Sequence, residues 1–277
     1  MASKTLKVSM VQTATHWHDP AANRAMFDDW LMQIPAETEV VMLPEMFSTG
    51  FTMASQEQAE LMDGPTVSWL LDAAKRLNKT LCGSVVIAAD EDHSQCSNRL
   101  LWVTPDAVTA NNITCYDKRH RFRMAGEHEH FEAGQERVVV THNGVRILLQ
   151  VCYDLRFPVF ARNRDDYDVY LIVANWPAAR QQHWNTLLAA RAIENQCYVV
   201  AVNCVGTDGN DVSYSGGSGL FSFTGEPQSQ LFDEAGVISG ELDITALEAY
   251  RQAFPAWQDA DAFSLGALSE GARPLDR

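Results

Sequence analysis

Val145-Arg-Ile-Leu-Leu-Gln-Val-Cys152-Tyr-Asp-Leu-Arg-Phe-Pro158 is an apolar run that stops at a cysteine, with a proline six residues further on. A short stretch rich in Val, Ile and Leu reads as a buried strand, and Pro158 with Val159, Phe160 and Ala161 behind it reads as the first turn of a helix. Cys152 then falls at a strand-to-helix elbow. A thiol there lies near the unpaired N–H groups and dipole of a helix N-terminus, which favour the thiolate, the form that attacks carbonyl carbon. Cysteine is also among the residue types most often buried for packing alone, so partners elsewhere in the chain have to decide.

Outward from this stretch, one order of elements occurs twice. Residues 6–13 alternate like a strand, 19–31 read as a capped helix with Pro20 at its first position, 40–43 as a strand and 66–77 as a helix. Strands are predicted at 81–89, 99–104 and 109–116. The second half runs strand 145–150, a helix from Pro158, strand 169–174, helix 181–195 and strand 198–203, repeating the order without repeating the residues. No Pro- or Gly-rich linker separates the halves. This predicts an α/β fold in which two sheets face each other with helices outside, a four-layer αββα sandwich. Residues 1–259 form one domain in this reading, and 260–277 a weakly structured tail. Ser213-Tyr-Ser-Gly-Gly-Ser-Gly219 reads as a flexible turn or bulge before a strand at 220–223, with the last strand at 237–242.

Composition narrows the class. With 277 residues, 46% of them hydrophobic, the chain can bury a full core. Its net charge of −15 argues against a nucleic-acid partner, which is held by basic patches. No apolar stretch has membrane-spanning length, so a soluble cytoplasmic protein with no membrane partner is expected. Cys82, Cys96, Cys115, Cys152, Cys197 and Cys204 show no CxxC pair or zinc spacing and are expected as free thiols. His120, His128 and His130 stand near acidic residues, but HExxH is absent, so no metal is expected.

In open α/β sheets, ligand groups gather beyond the carboxyl ends of strands. Glu45 follows the strand at 40–43, Lys118 leaves the strand at 109–116, and Cys152 ends the strand at 145–150. Singly, Glu45 reads as a helix cap and Lys118 as a surface charge; together at strand ends they read as a site.

The motifs Leu43-Pro-Glu-Met-Phe-Ser-Thr-Gly50, Tyr116-Asp-Lys-Arg-His120 and Val151-Cys-Tyr-Asp-Leu-Arg-Phe-Pro158 together resemble the nitrilase superfamily of carbon–nitrogen hydrolases, over nearly the whole chain. Ala174-Asn-Trp-Pro177, His183-Trp184 and Ala190-Arg-Ala-Ile-Glu-Asn-Gln196 resemble the Nit-type amidases more than true nitrilases, and bacterial omega-amidases most. The resemblance implies the superfamily's αββα fold, no cofactor, and hydrolysis of the terminal amide of 2-oxo acids such as 2-oxoglutaramate. It further implies Glu45 as general base, Lys118 as oxyanion partner with the backbone N–H of Tyr153, and Cys152 as nucleophile. A second glutamate is implied between lysine and cysteine, where Glu127, Glu129 and Glu132 are candidates; Glu127 is chosen for its spacing to Phe131 and Gly134.

For the substrate, Arg156 and Arg180 are candidates to hold a carboxylate, since a planar guanidinium pairs with it bidentately. Trp176 is a candidate wall of the same pocket, with core packing as its plainer role. The resemblance also implies a homodimer, with the segment 157–160 offering apolar contacts. The same catalytic set would serve a deaminated-glutathione amidase, a carbamoyl hydrolase or a nitrilase. A thiol sensor or scaffold that uses Cys152 for oxidation is the alternative outside enzymes.

Overall fold

Period-two alternation of apolar side chains builds two sheets that share one interior. The structure, a computed structural model, describes residues 4–266. Strands β1 (Thr5–Gln12), β2 (Val40–Met42), β3 (Thr80–Ala88), β4 (Cys96–Val103) and β5 (Thr114–Asp117) make the first sheet. The second contains β6 (Val139–His142), β7 (Val145–Val151), β8 (Val169–Val173), β9 (Tyr198–Val202), β10 (Val205–Thr207), β11 (Ser213–Phe221) and β12 (Pro227–Phe232). Strand β13 (Gly236–Asp243) returns to the first sheet and pairs antiparallel along all of β1.

The strand orders are β13-β1-β2-β3-β4-β5 and β10-β11-β9-β8-β7-β6, with β12 on the free side of β11. Each sheet has a parallel centre, β1-β2-β3 in one and β7-β8-β9 in the other, flanked by antiparallel strands. Met10, Met42, Cys82 and Leu100 pack in the same cluster as Leu148, Tyr170 and Val200 of the second sheet. Their neighbours Val11, Val41, Leu43 and Leu81 pack instead with Phe27, Leu31, Val67 and Leu70. Those partners lie on helices α1 (Pro20–Leu31) and α3 (Pro65–Leu77), separated by the single turn α2 (Ser55–Gln58). Successive strand residues therefore serve opposite layers, as the pleat requires.

Helices α4 (Glu127–His130), α5 (Pro158–Ala161), α6 (Gln181–Asn195) and α7 (Ile244–Ala253) complete the chain. In α6 the buried Trp184, Leu188 and Ala192 recur every fourth residue, and the Trp184 indole N–H donates to Gly217 O of β11 at 2.8 Å. Asp19 caps α1 through the Ala22 N–H at 2.9 Å.

The expected four-layer α/β arrangement is the observed one, with corrections in detail. The helix expected from Pro158 is a single turn, α5, preceded by a 3₁₀ segment over Cys152–Arg156. The segment 213–219 is a buried strand with a register shift between Gly216 and Ser218, not a flexible turn. Its glycines admit close neighbours: a Cβ at Gly216 would stand 2.3 Å from the Gln12 side chain. Strands β6, β10 and β12 and helix α7 were not expected from the pattern. Of the expected tail, residues 260–266 carry no helix or strand, and the rest lies outside the described residues.

One glycine fixes the site's framework. The Gly134 N–H donates to Lys118 O at 3.0 Å, and a Cβ there would stand 2.0 Å from Asp117 O. Gly134→Ala is expected to cost at least about 2 kcal/mol, because backbone has to move. Urea unfolding measures it; an unchanged midpoint and slope would mean that this crossing is not tightly packed.

Candidate active site

Four strand ends bring the chemistry together. The turn after β2 is pinned to β3, with Leu43 N–H donating to Cys82 O at 2.7 Å, Phe47 N–H to Ser84 O at 3.1 Å and Met46 N–H to Ser84 Oγ at 2.8 Å. This buries Glu45 completely. Lys118 follows β5, its N–H donating to Asn98 O of β4 at 2.9 Å, and is 1% exposed. Glu127 opens α4 and is also fully buried.

The Lys118 ammonium donates to Glu45 Oε1 at 2.9 Å and to both Glu127 oxygens at 2.9 Å. Glu45 Oε2 accepts the Asn175 backbone N–H at 2.8 Å, and Asn175 Nδ2 donates to Glu45 O at 2.7 Å, so the end of β8 clamps the same glutamate. Glu127 Oε2 accepts the Phe122 N–H. Of the three candidate second glutamates, Glu127 alone meets Lys118; Glu129 and Glu132 are exposed.

Cys152 begins the 3₁₀ segment after β7 with φ 44°, in the left-handed region that costs a non-glycine residue about 1–2 kcal/mol. Asp154 holds it there. Asp154 Oδ2 accepts Val151 N–H at 3.0 Å and Tyr116 OH at 2.7 Å, while Oδ1 takes the His120 N–H at 3.0 Å and pairs with His120 Nδ1 at 2.7 Å. One buried carboxylate thus sews the lysine-bearing segment 116–120 to the turn that carries Cys152.

The charges follow from burial and neighbours. Burial works against the Lys118 charge, but Glu127, Glu45 and Cys152 outweigh it and hold the ammonium well above its ordinary range. Burial raises Glu127, partly offset by Lys118 and reinforced by repulsion from Glu45. Burial also pushes the Cys152 thiol well up, with the Glu45 charge adding to it and Lys118 pulling it back. The expected pull of a helix N-terminus toward the thiolate has only a single helical turn behind it, and burial outweighs the pull of Lys118 on the thiol.

Cys152, Lys118, Tyr153, Arg156, Trp176 and Arg180 all line one cavity of about 690 Å³. The Arg156 guanidinium lies 4.8 Å from the Trp176 ring centre and donates to His183 Nδ1 at 2.9 Å. That of Arg180 lies 5.2 Å from the Phe122 ring centre. Among the described residues neither arginine forms an ion pair. Trp176 is 2% exposed, donates through Nε1 to Arg180 O at 2.8 Å and packs on Trp184, so it serves as a platform for Arg156 as well as a wall. The opposite loops add Trp17, His18, Thr52 and Tyr214, none expected from the sequence. Asn98 and Asn175 were also missed, since an asparagine in a strand or after one carries no signal of its own. Asp154 lay inside a quoted motif and could have been found by asking what fixes the elbow.

A buried thiol lining the same cavity as an ammonium that is itself held by two carboxylates is equipped for acyl transfer through a covalent intermediate. The chain matches the model of the carbon-nitrogen hydrolase family over residues 7–252 and belongs to that family. It is 48% identical to omega-amidase YafV of Yersinia enterocolitica, covering 94% of this chain and 99% of the relative. It is 30% identical to the 2-oxoglutaramate amidase of Bacillus subtilis strain 168, covering 91% and 96%. The crystal structure of XC1258 from Xanthomonas campestris, a CN-hydrolase superfamily protein, superposes with a TM-score of 0.90 at 46% identity, covering 95% of this chain and 100% of that one.

Because Lys118 pulls the Cys152 thiol down, Lys118→Met is expected to slow alkylation of this thiol by iodoacetamide at pH 7 by about tenfold or more. Peptide mapping by mass spectrometry separates Cys152 from the other five cysteines; an unchanged rate in folded variant would remove the ammonium from the thiol's field.

Proposed function

We propose that this protein is an omega-amidase that hydrolyses the terminal amide of short 2-oxo dicarboxylic acid monoamides, such as 2-oxoglutaramate and 2-oxosuccinamate, to the acid and ammonia. The observation that carries the reading is the Cys152 thiol and the Lys118 ammonium, itself paired with Glu45, opening into a cavity that also holds two arginines with no acid partner among the described residues. The names of the relatives, omega-amidase and 2-oxoglutaramate amidase, support it.

The steps use groups on hand. Glu45 takes the thiol proton as Sγ attacks the amide carbonyl carbon, and the carbonyl oxygen becomes an anion. Lys118 and the backbone N–H of Tyr153 stabilise that oxyanion, and Glu127 holds Lys118 in place. The proton on Glu45 passes to the leaving nitrogen, the C–N bond breaks, ammonia departs, and a thioester remains on Cys152. Glu45 then deprotonates a water that attacks the thioester; the C–S bond breaks, the acid leaves, and the thiol recovers its proton. No cofactor is needed for any step. Arg156 and Arg180 bind the distal carboxylate, and Trp176 supports Arg156 beneath it. The two guanidiniums are half-buried and have no acid partner among the described residues, so substrates lacking the carboxylate lose both affinity and alignment.

A second reading has one observation in its favour: about 690 Å³ is in the range that holds drug-sized ligands and exceeds the needs of a five-carbon amide. Deaminated glutathione, a longer amide with carboxylates, would use that room. The deciding measurement is kcat/KM for 2-oxoglutaramate, a neutral amide of equal length, and deaminated glutathione, with Cys152→Ala as the control that releases no ammonia. A preference of at least about 10²-fold for the first over the second is expected, lost in Arg156→Met or Arg180→Met. Equal values would refute the carboxylate subsite, and preference for the third would favour the second reading.

Residues 1–259 form the hydrolase domain of this reading, acting in the cytoplasm as a homodimer. The dimer would use α5 and α6, where Val159 and Ile193 are 57% and 56% exposed, whereas Phe160 is turned into the core. Light scattering at micromolar concentration is expected to give about twice the chain mass of 30.8 kDa. The chain mass itself would count against the dimer.

A further inference from the structure

The charge of the buried cluster does not close on its ion pairs. Two carboxylates, Glu45 and Glu127, share one ammonium, Lys118, and all three are buried. Cys152 carries no compensating charge as a thiol, and the neighbouring Cys204 and Tyr214 are both held in their neutral forms by burial, with Glu45 adding to the effect. The surplus negative charge is left to neutral donors.

Asn98, at the third position of β4 and 1% exposed, is the neutral donor placed between the two acids. Its Nδ2 lies 2.8 Å from Glu45 Oε1 and 3.3 Å from Glu127 Oε1. Among the described residues, no other neutral group bonds to both. Its Oδ1 is buried without a hydrogen-bond partner. Turning the amide over would place that oxygen against two carboxylates, so the acids dictate its orientation even at the expense of a bare acceptor. The same residue's backbone carbonyl accepts the Lys118 N–H at 2.9 Å, so Asn98 touches all three charged members of the cluster.

We propose that Asn98 is a positioning residue that keeps Glu45 and Glu127 ionised together around Lys118, and so keeps Glu45 able to accept the Cys152 proton. It acts through Glu45 and does not line the cavity. The inference rests on the proposed role of Glu45 toward the thiol, but not on the identity of the amide.

The test compares wild type with Asn98→Leu, which is similar in size without a donor, and Asn98→Ser, which keeps a shorter one. The readout is the pH dependence of Cys152 alkylation by iodoacetamide, followed by peptide mapping, which needs no substrate. Removing a donor that favours only the charged carboxylates moves the acid limb of this profile to higher pH in Asn98→Leu, by about one unit, with Asn98→Ser between. With an amide that wild type turns over, kcat at pH 7 is expected to fall by about tenfold in Asn98→Leu with KM nearly unchanged. A folded Asn98→Leu protein with the wild-type limb would overturn the proposal and leave Asn98 a packing residue. Should Asn98→Leu not fold, Asn98→Ser carries the decision: a wild-type limb there overturns it equally. Loss of 2-oxoglutaramate turnover by wild type would bear on the substrate reading alone, because the alkylation profile is independent of it.

Discussion

The site depends on one ammonium buried between two carboxylates. Taking Lys118, Glu45 and Glu127 out of water costs several kcal/mol per ion, and their mutual attraction offsets this only because the contacts are short and the spare oxygens are bonded. The arrangement is therefore intolerant of partial loss, since removing one partner from such a buried pair typically costs about 3–5 kcal/mol. Everything around it serves to fix these groups: the turn after β2 fixes Glu45, Gly134 and Asn98 fix the backbone of Lys118, and the Phe122 N–H fixes Glu127. The proposed nucleophile then meets a carboxylate already ordered by other bonds, so little reorganisation remains for proton transfer.

The second constraint is local charge against global charge. The chain carries −15 overall, yet its cavity holds two guanidiniums with no acid partner among the described residues. Arg146 and Arg251, by contrast, share the buried Asp168 and the more exposed Asp165, as structural arginines do. Arginines held by ring faces and an imidazole, and left without counterions, are prepared for an anion from outside. A mildly repulsive whole-molecule field leaves such capture to short-range contacts.

Much of this was legible in the residues. Helix α6 occupies the span that its spacing predicted, and the Asp19 cap starts α1 where Asp-Pro stood in the sequence. Glu45, Lys118 and Cys152 follow strand ends as expected, and all belong to one cluster. The misses share a physical cause. Strand β12, Pro-Gln-Ser-Gln-Leu-Phe, has no fully buried residue, so no apolar alternation marked it. The glycines of β11 looked like a turn because the side chains that crowd them, Gln12 and Gln181, come from far along the chain. Asn98 was silent for the same reason: the carboxylates it bonds, Glu45 and Glu127, come from far along the chain.

The sequence by itself determined which residue types stand at strand ends and how the layers form, because both depend on local periodicity and on the pleat. Only the tertiary structure set the surroundings that act on the Cys152 thiol proton. The local dipole was read as favouring the thiolate, whereas desolvation and the Glu45 charge push the thiol up against the pull of Lys118, charges that act through space between strands of two sheets. It also decided which glutamate meets Lys118, since Glu127, Glu129 and Glu132 differ little in sequence but only one is turned inward and out of water.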